Sequence, residues 1–253
     1  MTFTRRLLTA ALLASALPTA AYATPAAVAA AVINPGRPAD DIALDAGRKP
    51  VQVLTFLGLR KGDRALDVMA GGGYYAELMA RAVGPAGVVM AYEPTVFYSS
   101  DRSKKTWAEQ KARNANLTLL VQMPSDIALA PNSLDFTMMH LTYHDLYWES
   151  AKYKFPRTDP AVFLAKLYAA TKKGGIVGVV DHVAAPGEAR ETADKLHRID
   201  PETVKADFKA AGFALEDESD VLRVADDDHD KLVFDPAVRG KTDRFVYRFR
   251  KPR

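Results

Sequence analysis

A glycine-rich turn is the first feature of this sequence that could bind a ligand. The run Asp67–Gly73 reads Asp-Val-Met-Ala-Gly-Gly-Gly, and it connects an apolar stretch typical of a strand to the helical stretch 74–83. Glycine permits positive φ and lets a ligand come close to the backbone. A helix that starts beyond the turn offers unpaired N–H groups to a carboxylate or phosphate. The turn is therefore predicted to bind a ligand with a negative group.

An acidic residue follows the next strand at the spacing that a nucleoside ligand needs. The stretch 87–92 is apolar, and Glu93 follows it, twenty residues beyond Gly73. A carboxylate at this place can accept both hydroxyls of an adenosine ribose. The glycines alone are weak evidence, but strand, glycine turn, helix, strand and terminal acid in this order are more specific.

Histidines and carboxylates cluster at the predicted ends of two later strands. His140 and His144–Asp145 lie at or after the end of the stretch 134–141, and Asp181–His182 follows the stretch 175–180. A histidine with a pKa near neutrality is suited to removing a proton from a substrate. We expect His144 or His182 to be this base, with Asp145 or Asp181 orienting the ring, and His140 to be a core residue. Two alternatives stay open: a divalent metal site built from the same groups, and hydrogen bonds from Asp181 and His182 to the loop backbone.

An aromatic cluster and an acidic run are further candidate sites. The aromatic residues follow the fourth predicted strand, and they either line an acceptor pocket or pack a loop against the sheet. The run 226–230 reads Asp-Asp-Asp-His-Asp, and it either binds a cation or forms a solvated loop. The aromatic residues are Tyr143, Tyr147, Trp148, Tyr153 and Phe155.

The first residues have the pattern of an export signal. Arg5 and Arg6 precede the apolar run Leu7–Leu17, which small residues follow. The run has 11 residues, fewer than the ~20 that span a bilayer. Residues 1–23 are therefore predicted to be a cleaved signal, and the mature protein is predicted to be periplasmic. Thr4–Leu8 also resembles a twin-arginine signal, which directs folded proteins across the membrane.

Composition limits the chemistry of the mature chain. Of the 253 residues, 48% are hydrophobic, which is enough for a sizeable core. Without residues 1–23 the chain keeps 32 basic and 31 acidic residues, because that segment holds two arginines and no acid. This balance argues against nucleic acid as a partner, and no later apolar run is long enough for a membrane span. The chain lacks cysteine, which excludes disulfides and thiol nucleophiles.

The periodicity of the mature chain predicts an α/β domain. Residues 24–39 are rich in alanine and proline and are expected to be a linker, so the domain spans 40–253. Strands and helices alternate until a final strand pair, which predicts a doubly wound, mostly parallel seven-stranded sheet with an antiparallel C-terminal pair. In such sheets ligands bind at the carboxyl ends of the strands. The predicted strands are 64–69, 87–92, 117–122, 134–141, 175–180, 213–224 and 245–249, and the main predicted helices are 74–83, 107–113, 159–171 and 202–211.

These features together resemble the class I S-adenosylmethionine-dependent methyltransferases. Asp67–Gly73 is similar to the first motif of that family, acid-x-Gly-x-Gly-x-Gly. The resemblance implies that the glycine turn passes under the methionine part of S-adenosylmethionine and that Glu93 binds its ribose. Pro124–Ile127 resembles the segment whose carboxylate binds the adenine amino group. The cofactor-binding residues that the resemblance implies are Asp67, Ala70, Gly71, Gly73, Glu93 and Asp126.

The C-terminal part extends the resemblance over most of the mature chain. Asp200–Phe213 and the two strands after it are similar to the last helix, Ala-Gly-Phe turn and antiparallel pair of that family. Arg239–Phe245 resembles the Arg-Gly-x-Thr-Asp-Arg-Phe ending of exported bacterial proteins that are predicted methyltransferases. One departure is Met69, which stands where the family has its first glycine and is expected to weaken or displace binding of the methionine part.

The expected function is methyl transfer from S-adenosylmethionine to a small-molecule acceptor in the periplasm. The signature of adenine-specific DNA methyltransferases, acid-Pro-Pro-aromatic, is missing after the fourth strand, where Thr142–Asp145 stands. One alternative is a non-catalytic protein of the same fold that binds an adenosine ligand. Another is a nicotinamide-dependent oxidoreductase, since Gly71-x-Gly73-x-x-Ala76 also fits that fingerprint. The helical region before the first strand and the antiparallel C-terminal pair argue against the oxidoreductase.

Overall fold

The protein is built around one mixed β-sheet. The computed structural model describes residues 25–253, so the predicted signal at 1–23 lies outside the described residues. The strands are β1 (Arg64–Val68), β2 (Val88–Glu93), β3 (Leu117–Val121), β4 (Leu134–His140), β5 (Thr171–His182), β6 (Ala214–Ser219) and β7 (Arg244–Arg250). They form a seven-stranded sheet in the order β3-β2-β1-β4-β5-β7-β6. Strands β1 to β5 are parallel, and β7 runs antiparallel to β5 and β6, which confirms the predicted fold.

Helices cover both faces of this sheet. They are α1 (Pro25–Val32), α2 (Ala39–Ala43), α3 (Asp45–Arg48), α4 (Pro50–Leu57), α5 (Tyr74–Val83), α6 (Asp101–Arg113), α7 (Pro160–Ala170), α8 (Ala189–Leu196) and α9 (Pro201–Ala210). Helices α1, α4 and α5 contribute to the core on one face, and α7 and α9 contribute to the core on the other. None of the helices within residues 25–253 has the length and apolar character that crossing a bilayer requires.

Strand β5 shows how one sequence stretch serves both cores. Val177 and Val179 belong to the core on the α7 and α9 face, whereas Val180 belongs to the opposite core. Successive side chains of a strand point to opposite faces, which explains the alternation. Gly178 lies against α4, where an added Cβ would come within 2.5 Å of a methyl group of Leu57. The missing side chain therefore lets α4 pack close to the sheet.

The predicted linker contains a helix that belongs to the domain. Helix α1 contacts α4 and α5. Val28 and Ala31 lie one helical turn apart, and both are buried in the core. The expectation of a loose segment at 24–39 is therefore corrected for 25–32, because its apolar side chains cover the surface of two neighbouring helices.

The ends of several other helices and strands were also compared with the predictions, and capping residues explain where two of the helices begin. Helix α6 begins well before 107, because the Ser100 hydroxyl caps it by accepting a hydrogen bond from the Ser103 N–H at 3.1 Å. The predicted cap of α9 is confirmed, since Asp200 accepts from the N–H of Glu202 at 2.9 Å. The polar helix α8 was not predicted, and β6 ends at Ser219, which leaves 220–243 largely irregular.

The strand order reverses between β1 and β4, and this places the ligand site. The chain runs from β1 outward to β2 and β3, and it then returns to β4 on the other side of β1. Ligands bind at the carboxyl ends of the strands at such a point. Asp67, Glu93, His140 and His182 all lie at or beside the carboxyl ends of their strands.

Candidate active site

The glycine turn presents bare backbone to a cavity. Gly71 and Gly73 have φ values of 59° and 85°, the left-handed region that glycine enters without strain. The turn is closed by a hydrogen bond of 2.9 Å from the Gly73 N–H to the Ala70 carbonyl. Gly71 and Gly72 are exposed, and an added Cβ at either would meet no atom within 4 Å. The turn therefore leaves open space beside its N–H groups, as the sequence predicts.

Glu93 lies directly against this turn. Its carboxylate accepts a hydrogen bond from the Gly71 N–H through Oε1, and its side chain borders a cavity of about 560 Å³, the Glu93 cavity. Glu93 is 2% exposed. Burial raises its pKa to about 8, and nearby Asp67 adds to this effect, although the hydrogen bond from Gly71 opposes it. The structure thus places the predicted ribose-binding carboxylate beside the predicted turn.

Asp67 and His140 border a second cavity, the Arg48 cavity, of about 390 Å³. Burial raises the pKa of Asp67 to about 7. Its Oδ2 and the Nε2 of His140 are buried atoms without a hydrogen-bond partner among the described residues. Such atoms are rare inside proteins, and two of them beside one cavity indicate a polar ligand. The sequence predicts that His140 is a core residue, whereas the structure places its unpaired nitrogen beside this cavity.

Arg48 supplies a cation to the same cavity. Its guanidinium lies 4.3 Å from the centroid of the Tyr74 ring. Within residues 25–253 Arg48 forms no salt bridge, whereas the neighbouring Arg37 is held by both oxygens of Asp45 at 2.7 and 2.8 Å. An unpaired guanidinium beside a cavity is suited to a carboxylate. The sequence carries no motif that marks Arg48, because only packing of α3 against the turn brings it there.

Met69 adopts the left-handed backbone conformation at the position where the family motif has its first glycine. Its φ is 51°, in the left-handed region, which costs a side-chain-bearing residue roughly 1–2 kcal/mol. The side chain is 6% exposed and joins the core beside Leu66 and Tyr92. Although Met69 borders the Arg48 cavity, most of its side chain is packed in the core. The turn therefore forms despite this departure from the motif.

Asp181 and Asp145 hold His144 from two sides. The ring Nδ1 of His144 lies 2.8 Å from Oδ1 of Asp181, and its Nε2 lies 3.5 Å from Oδ1 of Asp145. Burial lowers the pKa of His144, but the two carboxylates outweigh burial and bring the pKa to about 9. Burial raises the pKa of Asp145 to about 6, although His144 opposes this. At neutral pH the ring therefore carries a proton, and Asp145 is the group that can accept one.

His182 joins this cluster as a neutral ring. One ring nitrogen lies 2.7 Å from the hydroxyl of Thr242, and the ring centroid lies 6.0 Å from that of His144. Burial lowers the pKa of His182 to about 3. All four predicted catalytic residues, His144, Asp145, Asp181 and His182, are thus brought together, but the pKa directions favour Asp145 over either histidine as proton acceptor.

A third histidine belongs to the cluster and was not predicted to be there. His197 ends α8 with a φ of 51°, and its ring lies 5.5 Å from His144 and 5.5 Å from Trp148. Burial lowers its pKa, and the charge on His144 adds to this. His197 lies 53 positions from His144 in the sequence, so no local spacing could have indicated the contact.

These histidines border a third cavity of about 580 Å³, the His144 cavity. Members of the predicted aromatic cluster have two different locations. Trp148 and Tyr153 border the cavity, whereas Tyr143 and Phe155 are buried in the core. Phe97 also borders the Glu93 cavity, and Leu141 also borders the Arg48 cavity. The three cavities therefore adjoin one another along the carboxyl edge of the sheet.

The other candidate sites are placed differently. Asp126 is exposed, accepts a hydrogen bond from the Ser125 hydroxyl at 3.0 Å, and does not border the Glu93 cavity. In the acidic run, Asp227 forms a buried ion pair with Arg198, whose two terminal nitrogens donate to the two carboxylate oxygens at 2.8 and 3.0 Å. In the part of the chain that is described, no group of three or more histidine or acidic side chains has the geometry to hold a metal ion.

The comparisons with known proteins agree with this architecture. The family model described as protein-L-isoaspartate(D-aspartate) O-methyltransferase matches residues 46–121, the stretch from α3 to β3 that contains the glycine turn and Glu93. Among solved structures, an S-adenosylmethionine-dependent methyltransferase from Aquifex aeolicus is 21% identical, with 89% of this chain and 97% of that chain covered and a TM-score of 0.56. One from Mesorhizobium loti is 15% identical, with 82% and 99% covered and a TM-score of 0.56. A comparison with curated proteins found no match.

The chain therefore has the fold of the S-adenosylmethionine-dependent methyltransferases, as the sequence predicts. The family match includes five of the six predicted cofactor residues, and only Asp126 lies beyond it. Together, these findings support the prediction of a methyltransferase whose cofactor is S-adenosylmethionine.

Proposed function

We propose that this protein transfers a methyl group from S-adenosylmethionine to a small-molecule acceptor. The observation that carries the proposal is the arrangement of three adjoining cavities at the switch point of the sheet. The first has the carboxylate of Glu93, the second has the cation of Arg48, and the third has a charged histidine cluster. These are the groups that a nucleoside, an amino-acid carboxylate and a reacting acceptor need, and each cavity shares border residues with the other two.

The residues present fit S-adenosylmethionine. Glu93 uses Oε1 for the Gly71 N–H, which leaves its second oxygen for the ribose hydroxyls. Arg48 would pair with the methionine carboxylate, and the unpartnered Oδ2 of Asp67 would accept from the methionine amino group. The open space beside Gly71 and Gly72 would admit the chain between sulfur and ribose.

The cofactor supplies one thing when bound, an activated methyl group on a positively charged sulfur. The protein's own part is to align the acceptor and to remove its proton. Asp181 fixes the ring of His144, which in turn holds the carboxylate of Asp145 at the border of the His144 cavity. Since the pKa of Asp145 is raised to about 6, its carboxylate is ionised at neutral pH and is a useful proton acceptor.

A small acceptor suits the size and composition of the site. The His144 cavity of about 580 Å³ falls in the range of pockets for small molecules, ~300–1,000 Å³. The near-neutral charge of residues 24–253 argues against a nucleic-acid acceptor. Location outside the cytoplasm is part of the same proposal, and it rests on the pattern of residues 1–23 alone.

Calorimetric titration of residues 24–253 tests this function. S-adenosylmethionine and its demethylated product should bind with micromolar affinity, and NAD should not bind. Binding of NAD alone would refute the proposal in favour of an oxidoreductase. A different result would favour a non-catalytic adenosine-binding protein. In that case the demethylated product binds, but methyl transfer in an acceptor screen is the same for Asp145→Asn and His144→Ala as for the unchanged protein.

A further inference from the structure

The His144 cavity has an apolar mouth that the folded chain leaves uncovered. Phe97, Tyr153, Leu232 and Phe234 border it, and they are 39%, 53%, 38% and 52% exposed. These are four of the nine large hydrophobic residues that are exposed within the described residues. Isolated apolar side chains on a surface need no explanation, but several around one cavity mark a binding site for an apolar molecule.

Aromatic side chains and imidazole rings form a large part of the wall of this cavity. The ring of Trp148 lies 5.9 Å from Tyr153 and 5.5 Å from His197, and Phe234 packs edge-on against His197 at 5.1 Å. Aromatic rings bind flat rings well, because offset stacking and edge contacts add about 0.5–1.5 kcal/mol to the effect of burial. A planar aromatic ligand therefore fits the wall better than a flexible or globular aliphatic one.

The polar end of the cavity is negative. One protonated ring, His144, lies between the carboxylates of Asp181 and Asp145, so the three groups carry one net negative charge. Lys195 also borders the cavity, but it is 65% exposed and is paired with Glu191 at 2.5 Å. A carboxylate acceptor would thus meet an acid and no available buried cation. The match to the isoaspartate methyltransferase model ends at residue 121, before all of the border residues except Phe97.

The strength of the base favours an aromatic hydroxyl over an aliphatic one. A phenol has a pKa of about 10, whereas water, which resembles an aliphatic alcohol in acidity, has a pKa of about 15.7. A carboxylate takes a proton more readily from a phenol than from an aliphatic alcohol as the new bond forms, because the phenol is the stronger acid. Asp145 is such a carboxylate at the cavity border.

We propose that the acceptor is an uncharged planar aromatic molecule that bears a hydroxyl group, held between Trp148 and Phe234 with the hydroxyl toward Asp145. This rests on the proposed methyl transfer. The acceptor oxygen forms a bond to the donor methyl carbon, and the bond from that carbon to sulfur breaks with its electron pair staying on sulfur. The hydroxyl proton passes to the Asp145 carboxylate and then to solvent. The products are an aryl methyl ether and the demethylated donor.

Three matched probes test the acceptor class: 2-naphthol, 2-naphthoate and decahydro-2-naphthol. They share a two-ring skeleton and differ in charge or planarity. Calorimetry on the chain saturated with the demethylated donor should show 2-naphthol binding at least tenfold more tightly than either of the others. With S-adenosylmethionine present, only 2-naphthol should yield a methyl ether. Equal or tighter binding of 2-naphthoate, or of decahydro-2-naphthol, would overturn the proposal.

Variants distinguish this site from unspecific apolar binding. Phe234→Ala should weaken 2-naphthol binding at least tenfold, and it should leave the fold intact because Phe234 is 52% exposed. Leu215→Ala removes an exposed side chain from β6, away from the His144 cavity, and should change nothing. Asp145→Asn should keep binding and lose transfer. If the demethylated donor binds normally but no variant affects 2-naphthol, the acceptor class is wrong, whereas failure of donor binding itself would refute the proposed function.

Discussion

One carboxylate, that of Asp181, holds both the ring and the backbone of His144. Its Oδ1 lies 2.8 Å from the ring Nδ1, and its Oδ2 accepts from the His144 N–H at 2.9 Å. Asp181 is fully buried, so this pairing is shielded from solvent. Because Asp181 is the residue before the last in β5 and His144 begins the turn after β4, the contact joins two neighbouring strand ends.

This contact should make stability depend on pH. The pKa of His144 is about 9 in the folded protein, above its ordinary value of about 6.5. Its contribution is therefore fully present below about pH 6.5 and is lost as the pH rises through about 9, with a slope of up to ~1.4 kcal/mol per pH unit. Urea unfolding between pH 6 and 10 measures this. The raised pKa of Glu93 also makes stability fall as the pH rises. The slope of the unchanged protein must therefore be compared with that of Asp181→Asn, which should be shallower. Equal slopes would contradict the pairing of Asp181 with His144.

Removing the carboxylate of Glu93 should weaken donor binding. We expect Glu93→Ala to cost about 1.5–3 kcal/mol, the scale of hydrogen bonds to a charged group. Because burial raises the pKa of Glu93 to about 8, donor affinity should rise as the pH increases through this value and the carboxylate ionises. Titration calorimetry at pH 6.5, 8 and 9 checks this. A pH dependence that is the same in Glu93→Gln would remove Glu93 from the site.

Arg48 should recognise only the amino-acid end of the donor. Arg48→Gln is expected to weaken S-adenosylmethionine binding about 10- to 100-fold, the scale of a charge-assisted hydrogen bond. Binding of 5′-methylthioadenosine, which lacks the carboxylate, should not change. Arg102→Gln, at the border of the Glu93 cavity, is the control for a general loss of positive charge. Equal losses for both ligands would mean that Arg48 has a structural role.

The buried ion pair of Arg198 and Asp227 should stabilise the irregular segment after β6. Both side chains are at most 1% exposed, and removing one partner leaves an unpaired buried charge. We expect Arg198→Ala to lower the free energy of unfolding by about 3–5 kcal/mol. The exposed pair of Lys231 and Asp228 is the matched control, and Lys231→Ala should not change the unfolding midpoint measurably. Similar effects of both variants would contradict this assignment.

Export should depend on the arginine pair. If Arg5 and Arg6 form a twin-arginine signal, replacing both with lysine should retain the protein in the cytoplasm, because that pathway reads the pair itself rather than its charge. Cell fractionation with a periplasmic marker measures the outcome. Normal export of the Lys-Lys protein would refute the twin-arginine hypothesis and leave an ordinary signal.

The sequence predicts those parts of the site that depend on local order. The glycine turn, Glu93 and the strand ends that carry Asp181 and His182 follow from strand and helix periodicity. Once the strand order is known, residues that end neighbouring parallel strands must lie at the same edge of the sheet. Even Met69, which departs from the motif, does not change the turn, because its side chain finds room in the core.

The sequence by itself therefore determined the sheet, its carboxyl edge and the strand-end residues Glu93, Asp181 and His182 that lie there. The tertiary structure alone decided how those side chains pair. Arg48, His197 and Phe234 join the site through packing of segments far apart in the chain, and Asp126 stays exposed. The protonation of His144 likewise depends on two carboxylates whose distances no spacing encodes. The physical reason is that periodicity records which face of an element is buried, whereas contacts between loops depend on the three-dimensional course of the whole chain.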